Sequence, residues 1–462
     1  MTMRNWQGKN VLILGAARQG LAAMRFLLKN GAKIVVNDQK PAGDFKQLML
    51  EFHNQAVRWE FGGHPLILLN DMDLVVVSGG VPLALPIIQE AYLRGITVTN
   101  DSEIFMEAVK ANVIGITGSA GKTTTTVIVG EIAKAASHPD QHVWVGGNIG
   151  YPLIDHLDEI NANDLVVTEL SSFQLELMNK SPSIAAVLNI TPNHLDRHVN
   201  MAAYIQAKSQ ILRYQSESDY AILNCEDKYT MGLMGLVKGS LITFGLAKTI
   251  DGFTGALLKE KNLVFQSPKG FIEIMPRSEI QLKGEHNLMN ALAACAIGFA
   301  ANFPIQAIRD GIRRVKGIPH RLEFVREWHG SIWYNDSIAT APERTMAAIR
   351  SFDQPIVLLL GGRDKKLPWN DLVERIHQRV KNVVLFGESA ELISRALGEV
   401  KTNQSTQTIT KCDGLEKAVK IAAEYAQKGD VVLLSPGCTS FDEFRDFEDR
   451  GQRFIELVKA LP

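Results

Sequence analysis

The sequence predicts an α/β protein of three successive domains, each built on a mainly parallel sheet. Short apolar runs alternate with amphipathic helical patterns along the chain, which is the rhythm of repeated β-α-β units. At 462 residues the chain also exceeds what one hydrophobic core usually serves. The strand series restarts twice, near Lys110 and at Gly317-Ile-Pro319, which sets the expected domains at 1–110, 111–317 and 318–462.

In the first block, strands are predicted at 11–14, 34–36, 74–77 and 96–98, with a helix over 20–29. After the first strand comes Gly15-Ala-Ala-Arg-Gln-Gly20, and Asp38 closes the next. This is similar to a dinucleotide fingerprint, whose acid holds a ribose hydroxyl. Ala17 stands where the middle glycine would let backbone approach a pyrophosphate. A nicotinamide or flavin site, a site for another nucleotide and a purely structural Rossmann-like unit all stay open.

The second block opens on Gly115-Ile-Thr-Gly-Ser-Ala-Gly-Lys-Thr-Thr-Thr125, between a strand at 113–117 and a helix over 124–136. Such a turn aims N–H groups and a helix N-terminus at an anion. Lys122 reaches outer phosphates and the Thr123 hydroxyl is placed for Mg²⁺. Ile116 stands where the full Walker pattern has glycine, so an ordinary Gly-rich loop is the alternative. Further strands are predicted at 165–168, 185–190 and 220–223, hairpins within 241–282 and a helix over 286–301. Glu169, His194 and Asp196 then fall at strand carboxyl ends, the edge where open α/β sheets bind ligands. A carboxylate and an imidazole there suit Mg²⁺ handling. Lys208, in a helical pattern over 201–214, reads by composition as a solvated helix lysine.

In the third block, strands are predicted at 356–360, 383–386 and 431–434. Arg321, in Pro319-His-Arg-Leu-Glu323, suits either a phosphate or a structural ion pair. Asp336 suits a ribose, or a helix cap through Ser337. Gly361-Gly-Arg-Asp-Lys-Lys366 and Ser435-Pro-Gly-Cys-Thr-Ser-Phe-Asp-Glu-Phe444 follow strands. Ser440 and nearby N–H groups are placed to receive a carboxylate, unless that loop only caps the following helix.

Composition narrows the partners. Lys and Arg total 49 against 50 Asp and Glu, which gives no global field for nucleic acid or an anionic membrane. Small molecules are the expected partners. Cys225, Cys295, Cys412 and Cys438 are widely spaced, fitting a reducing cytoplasm, and no apolar run is long enough to span a bilayer.

Taken in order, GSAGKTT, Gly146-Gly-Asn-Ile-Gly150, Glu169-Leu-Ser-Ser-Phe-Gln-Leu-Glu176, Asn193-His-Leu-Asp-Arg197, Gly284-Glu-His-Asn-Leu-Met-Asn-Ala291, PHRLE, NDS-x-AT and SPGCTSFDEF resemble the Mur ligase family over nearly the whole chain. ELSSFQLE and SPGCTSFDEF resemble its D-glutamate-adding branch. The resemblance implies a Rossmann-like UDP-sugar domain, a central P-loop ATPase-type domain and a Rossmann-like amino-acid domain. It further implies a cytoplasmic, monomeric ligase of peptidoglycan synthesis. ATP would phosphorylate the carboxylate of UDP-N-acetylmuramoyl-L-alanine, and D-glutamate would attack the acyl phosphate.

By the same resemblance, the metal residues are Thr123, Glu169, His194 and a carbamoylated Lys208. The catalytic residues are Lys122, Glu169, His194 and Lys208. ATP would contact Gly118, Ser119, Ala120, Gly121, Lys122, Thr123, Thr124, Asn287, Asn290, Arg321 and Asp336, the last two reached on domain closure. The UDP-sugar would use Arg18, Gln19, Asp38, Gln39, Lys40, Ser78, Gly80, Asn148 and Gln174. D-Glutamate would meet Thr340, Lys365, Ser440, Phe441 and Phe447. The chain departs from the family pattern at Ala120, Gly79, Ile338 and Ala341. Ile338 replaces a lysine, which removes a cation near the reacting groups. Besides this ligase, another Mur-type or folylpolyglutamate-type ligase with a different acceptor, a nucleotide-linked oxidoreductase using the Gly15 turn and a non-catalytic nucleotide-binding protein stay open.

Overall fold

A computed structural model describes residues 5–192, 197–246, 254–282, 284–364, 367–399 and 408–462. The chain divides after Lys316 into two compact units. The first unit holds two sheets.

Strands β1 (Asn10–Leu14), β2 (Lys33–Asp38), β3 (Val57–Phe61), β4 (Leu74–Val77) and β5 (Thr97–Thr99) form a sheet in the order β3-β2-β1-β4-β5. All its pairings are parallel. Strand order reverses between β1 and β4, so the crevice of this doubly wound sheet opens at their carboxyl ends. Gly15 and Ser78 stand there. The strand β3 escapes prediction because Val57-Arg-Trp-Glu-Phe61 is a half-buried edge with charges on it, which blunts the apolar signal.

The second sheet contains β6 (Asn112–Thr117), β7 (Val143–Gly147), β8 (Leu165–Glu169), β9 (Ile184–Val187), β10 (Tyr220–Asn224), β11 (Ser240–Gly245), β12 (Thr254–Lys259), β13 (Asn262–Ser267) and β14 (Gly270–Pro276). Their order is β14-β13-β12-β11-β10-β9-β6-β8-β7. Pairing is parallel from β7 to β12 and antiparallel through the hairpin edge β12-β13-β14. Strand β9 stops at Val187 rather than at the predicted 190. Its continuation turns inward instead, because Asn189 and Thr191 bond the phosphate turn.

One apolar cluster runs through both sheets of this unit, including Val11, Ile13 and Val76 from the first and Val113, Val166 and Leu223 from the second. The two domains therefore behave as one compact body. Polar ties add to it: Arg25 is bidentate to Asp155 at 2.9 and 2.6 Å, and Asn100 Nδ2 donates to Gln174 O at 2.8 Å.

The second unit carries β15 (Glu323–Trp328), β16 (Ser331–Asn335), β17 (Ile356–Gly361), β18 (Val380–Phe386), β19 (Thr408–Lys411) and β20 (Val431–Gly437), in the order β15-β16-β20-β17-β18-β19. Only the β15-β16 pair is antiparallel. Two apolar clusters cover its faces, around Leu358 and Leu433 on one and Trp333 and Phe454 on the other. None of the helices among the described residues is long and apolar enough to cross a membrane.

Candidate active site

The phosphate turn is built from the sequence upward. Strand β6 ends at Thr117 and the helix Lys122–Ala136 begins after Gly121, whose φ of 82° is left-handed. Glycine is required there twice over: that φ disfavours a side chain, and a Cβ would collide with Asn290 Oδ1. Asn189 braces the turn from below, accepting from Ala120 N at 2.9 Å and donating to Ala120 O at 3.0 Å. The Ala120 side chain takes no part in this bracing, so the departure from the family pattern leaves the turn's shape intact. Ser119 Oγ donates to Thr191 O at 3.0 Å and meets Tyr204 OH at 3.0 Å. Lys122 Nζ folds back to Gly118 O at 3.1 Å.

At the same sheet edge, Thr123 Oγ1 donates to Glu169 Oε2 at 2.8 Å. Asn148 Nδ2 donates to the other carboxylate oxygen, Oε1, at 2.8 Å. Glu169 is buried, and its two oxygens are oriented by donors from the first turn of the helix Lys122–Ala136 and from the loop carrying Asn148. A hydroxyl and a carboxylate form an all-oxygen donor set, which fits Mg²⁺. Among the described residues no three His, Cys, Asp or Glu side chains cluster into a metal cage. Mg²⁺ does not require one, because it binds through one or two carboxylates and keeps its waters. His194 and Asp196 lie outside the described residues.

Lys208 corrects the reading of its own composition. It is 1 % exposed, because its helix, Met201–Arg213, packs that face under the phosphate turn. Its Nζ donates to Gly118 O at 2.9 Å and Thr117 Oγ1 at 3.4 Å and lies over the Tyr204 ring. Burial, reinforced by the Lys122 charge and only partly offset by Glu169, holds this ammonium well below the usual lysine range. Helical periodicity alone does not reveal this, since a lysine on a half-apolar helix normally faces water. Asn290, at the phosphate turn through Gly121 and Thr125, accepts from Thr125 Oγ1 at 3.4 Å and donates to Asn287 Oδ1 at 3.2 Å. Thr124 is buried.

In the first sheet the Gly15 turn is closed on itself. Gly15 has a φ of 95°, and a Cβ on Gly20 would collide with Gly15 O, so both glycines of the fingerprint are sterically required. Asp38 accepts from Ala16 N at 2.9 Å and Lys40 N at 3.0 Å, which fixes its carboxylate over the turn. Gln39 and Lys40 are exposed beside it. Gln19 Oε1 accepts from Gly79 N at 3.3 Å. Arg18 donates to Gly150 O at 2.6 Å and Asn148 O at 3.3 Å, so the segment carrying Asn148 ties this turn to Glu169. Gln174 is fully buried, its side-chain oxygen on Ser171 and its amide on Ser102 Oγ at 2.8 Å. The structure thus uses Gln174 as a helix cap and interior bridge rather than as an open surface group.

In the sequence Arg197 is only part of a motif, and in the fold it does more. Its guanidinium donates to Gly80 O at 2.8 Å, Val81 O at 3.2 Å and Gly79 O at 3.5 Å, and lies 4.6 Å over the Phe173 ring. A motif places such a residue in sequence but cannot show which loop it grips.

In the second unit, Asp336 is buried and receives Ser435 Oγ at 2.8 Å and Leu322 N at 3.2 Å. Burial pushes its carboxyl up to about 7 against these hydrogen bonds and the charges of Arg321 and Arg344. It does not cap a helix. Arg321 sits between His320 and Leu322, which have left-handed φ values of 61° and 43°. The pose is held by His320 N on Glu323 at 2.7 Å and Asn335 Nδ2 on His320 Nδ1 at 2.9 Å. Beside Ile338, Arg344 Nη1 donates to the Ile338 backbone oxygen at 3.3 Å. Thr340 is half-buried, Ser440 buried, Phe441 exposed and Phe447 half-buried. Lys365 lies outside the described residues. The helix after this loop, Phe447–Lys459, is capped by Asp446, so Ser440 is not spent as its cap.

Arg450 is a second residue without sequence signal. Fully buried, it donates to Ser337 Oγ and O, Cys438 O, Thr439 O and Gly361 O at 2.9–3.5 Å. It thereby binds the ends of three strands together, and burial lowers its guanidinium to about 10.

Three family models match the chain: the Mur ligase MurD-like N-terminal domain over residues 9–100, the Mur ligase middle domain over 116–298, and the Mur ligase glutamate ligase domain over 320–438. The chain is 39 % identical over 456 residues to UDP-N-acetylmuramoylalanine-D-glutamate ligase of Koribacter versatilis, covering 98 % of each chain. It is also 39 % identical over 464 residues to the ligase of that name from Acetivibrio thermocellus, covering 98 % of this chain and 97 % of the other. In fold it is similar to UDP-N-acetylmuramate-alanine ligase MurC from Thermotoga maritima, with TM-score 0.58, 19 % identity, and coverage of 98 % and 99 % of the two chains.

Proposed function

The chain belongs to the Mur ligase family, and from that premise we propose that it joins D-glutamate to UDP-N-acetylmuramoyl-L-alanine with conversion of ATP to ADP and phosphate. The observation that carries the reading is the phosphate turn with Thr123 and Glu169 held together at 2.8 Å beside Lys122 and Lys208. A carboxylate is a poor electrophile. Transfer of the γ-phosphoryl group to it creates an acyl phosphate, from which phosphate then leaves as the D-glutamate amine attacks.

Thr123 and Glu169, with His194 and a carbamoylated Lys208, would hold Mg²⁺, which supplies positive charge to the phosphate oxygens when bound. Lys122 supplies a second cation to the same oxygens. The buried Lys208 Nζ, held next to Gly118 O, is disposed to be a neutral amine, the form that adds carbon dioxide with loss of a proton to give an anionic carbamate. On this reading Gly118 to Thr124, Asn287 and Asn290 serve ATP, as do Arg321 and Asp336 of the second unit. Arg18, Gln19, Asp38, Gln39, Lys40, Ser78, Gly80 and Asn148 serve the nucleotide sugar. Gln174 supports that surface from the interior. Thr340, Lys365, Ser440, Phe441 and Phe447 serve D-glutamate, in an enzyme acting as a cytoplasmic monomer.

The test is phosphate release from ATP and Mg²⁺ with each substrate present or omitted. Release that requires both UDP-N-acetylmuramoyl-L-alanine and D-glutamate supports the assignment. Release with another amino acid but not D-glutamate would overturn the acceptor, and nucleotide binding without turnover would overturn the ligase reading.

A further inference from the structure

The loop Ser78–Val81 follows β4 at the crevice of the first sheet, and its three carbonyls at Gly79, Gly80 and Val81 converge on one guanidinium, that of Arg197. A peptide N–H points opposite to its own carbonyl, so the Gly79 and Gly80 carbonyls turned on Arg197 constrain the Gly80 and Val81 N–H groups, while the Val81 carbonyl leads into Pro82, which has none. The Gly79 N–H is taken by Gln19 Oε1 and the Val81 N–H by Ser78 O. Gly80 is exposed, and among the described residues its N–H bonds to no protein group. The loop therefore presents one unpaired donor at its tip, on a backbone whose carbonyl dipoles are satisfied from behind by a full positive charge. Backbone N–H groups of this kind receive anions, whereas unscreened carbonyls at the same spot would repel them.

Arg197 is in turn fixed within its own domain, the one carrying the second sheet. Its guanidinium lies over Phe173, in the short helix Ser172–Leu175 that follows Glu169. Stacking of this type holds an arginine in a single pose while leaving its N–H fork free to donate.

We infer that Arg197 is a positioning residue for the diphosphate of the nucleotide sugar: by tying back the Gly79–Val81 carbonyls it holds the loop with the Gly80 N–H presented to that anion. The inference rests on the reading of this crevice as the UDP-sugar site. Arg197 acts through the loop and not on the reacting atoms. Its loss should therefore weaken binding of one substrate while leaving the other and the chemistry alone.

The experiment is calorimetric titration of the full chain with UDP-N-acetylmuramoyl-L-alanine, and separately with ATP and Mg²⁺, for wild type, Arg197→Gln, Arg197→Lys and Asp38→Asn. Loss of charge-assisted hydrogen bonds to the loop predicts that Arg197→Gln raises the Kd for the nucleotide sugar about tenfold or more. Arg197→Lys should fall between the two, since it keeps charge but not the fork, and the ATP Kd should stay within about twofold. Steady-state rates should show the same split, a raised KM for the nucleotide sugar with kcat retained. An unchanged Kd in both Arg197 variants, with Asp38→Asn weakened, overturns the clamp alone. Equal weakening toward both ligands also overturns it, because that marks a merely structural residue. If Arg197→Gln does not fold, Arg197→Lys decides by the same comparison. Failure of wild type to bind the nucleotide sugar, or indifference of Asp38→Asn, overturns the reading of the crevice and the inference with it.

Discussion

Asp336 carries a proton that its surroundings decide, and substitution by asparagine should remove a measurable part of the pH dependence of stability. Its carboxyl is buried, and desolvation raises it from the ordinary 3.8 to about 7, against the hydrogen bonds from Ser435 and Leu322. The unfolded chain releases this proton near 3.8, whereas the folded chain keeps it until about 7. The folded state then binds more protons throughout that window, so wild-type stability is fully present below 3.8 and falls as pH rises toward 7. Each unit is worth about 1.4 kcal/mol, so the whole interval of roughly three units amounts to about 4 kcal/mol at most. Asparagine has nothing to ionise. Differential scanning calorimetry of full-length wild type and Asp336→Asn from pH 5 to 8.5 reads the difference directly. For a unit of this size the advantage of the variant should grow by roughly 3–6 °C per pH unit between pH 5 and 7, then level off. A difference independent of pH across that range would refute the argument, whatever its absolute size.

Three further outcomes follow from the same geometry. Gly121→Ala must both adopt a left-handed φ and displace Asn290, so it should lower stability by about 1–3 kcal/mol and weaken ATP binding more than tenfold, read by thermal unfolding and titration. Lys208→Ala should reduce phosphate release at least about a hundredfold, with partial rescue by short carboxylic acids if a carbamate oxygen is what the site needs; full activity in that variant would refute the role. Arg450→Met removes five hydrogen bonds, of whose acceptors Thr439 O keeps another donor in Arg363 N, and should cost about 4 kcal/mol or more, while leaving nucleotide-sugar binding to the first unit unchanged, as measured by unfolding and calorimetry.

Much of the fold was legible because its central strands are buried on both faces and read as continuous apolar runs, as Leu74–Val77 does. Of the strands that escaped, β3, β15 and β19 are half-exposed or interrupted by charge; β16, Ser331–Asn335, alternates buried and half-buried residues and offers no continuous apolar run; β7, Val143–Gly147, ends in two glycines. The site was legible where chemistry is concentrated in local motifs, as in the turn before Lys122 or at Glu169. It was not legible where one side chain serves a distant backbone. Lys208 appeared solvated because periodicity reports a face, not what lies above it, and Asn189, Arg197 and Arg450 act on carbonyls or amides remote in sequence. Gln174 illustrates the converse: a polar residue within a motif that the fold turns inward.

The two left-handed residues flanking Arg321 have a consequence for evolution. Backbone outside its comfortable range at His320 and Leu322 costs on the order of 1–3 kcal/mol each, and this cost is incurred when the second unit folds. The neighbours of Arg321 are thereby frozen in advance, so under the proposed role of Arg321 toward ATP less conformational freedom would remain to be lost on binding. Replacing Leu322 by glycine would relax the backbone and surrender that preparation. Selection for a more robust fold and selection for a better-prepared arginine therefore pull the same peptide in opposite directions.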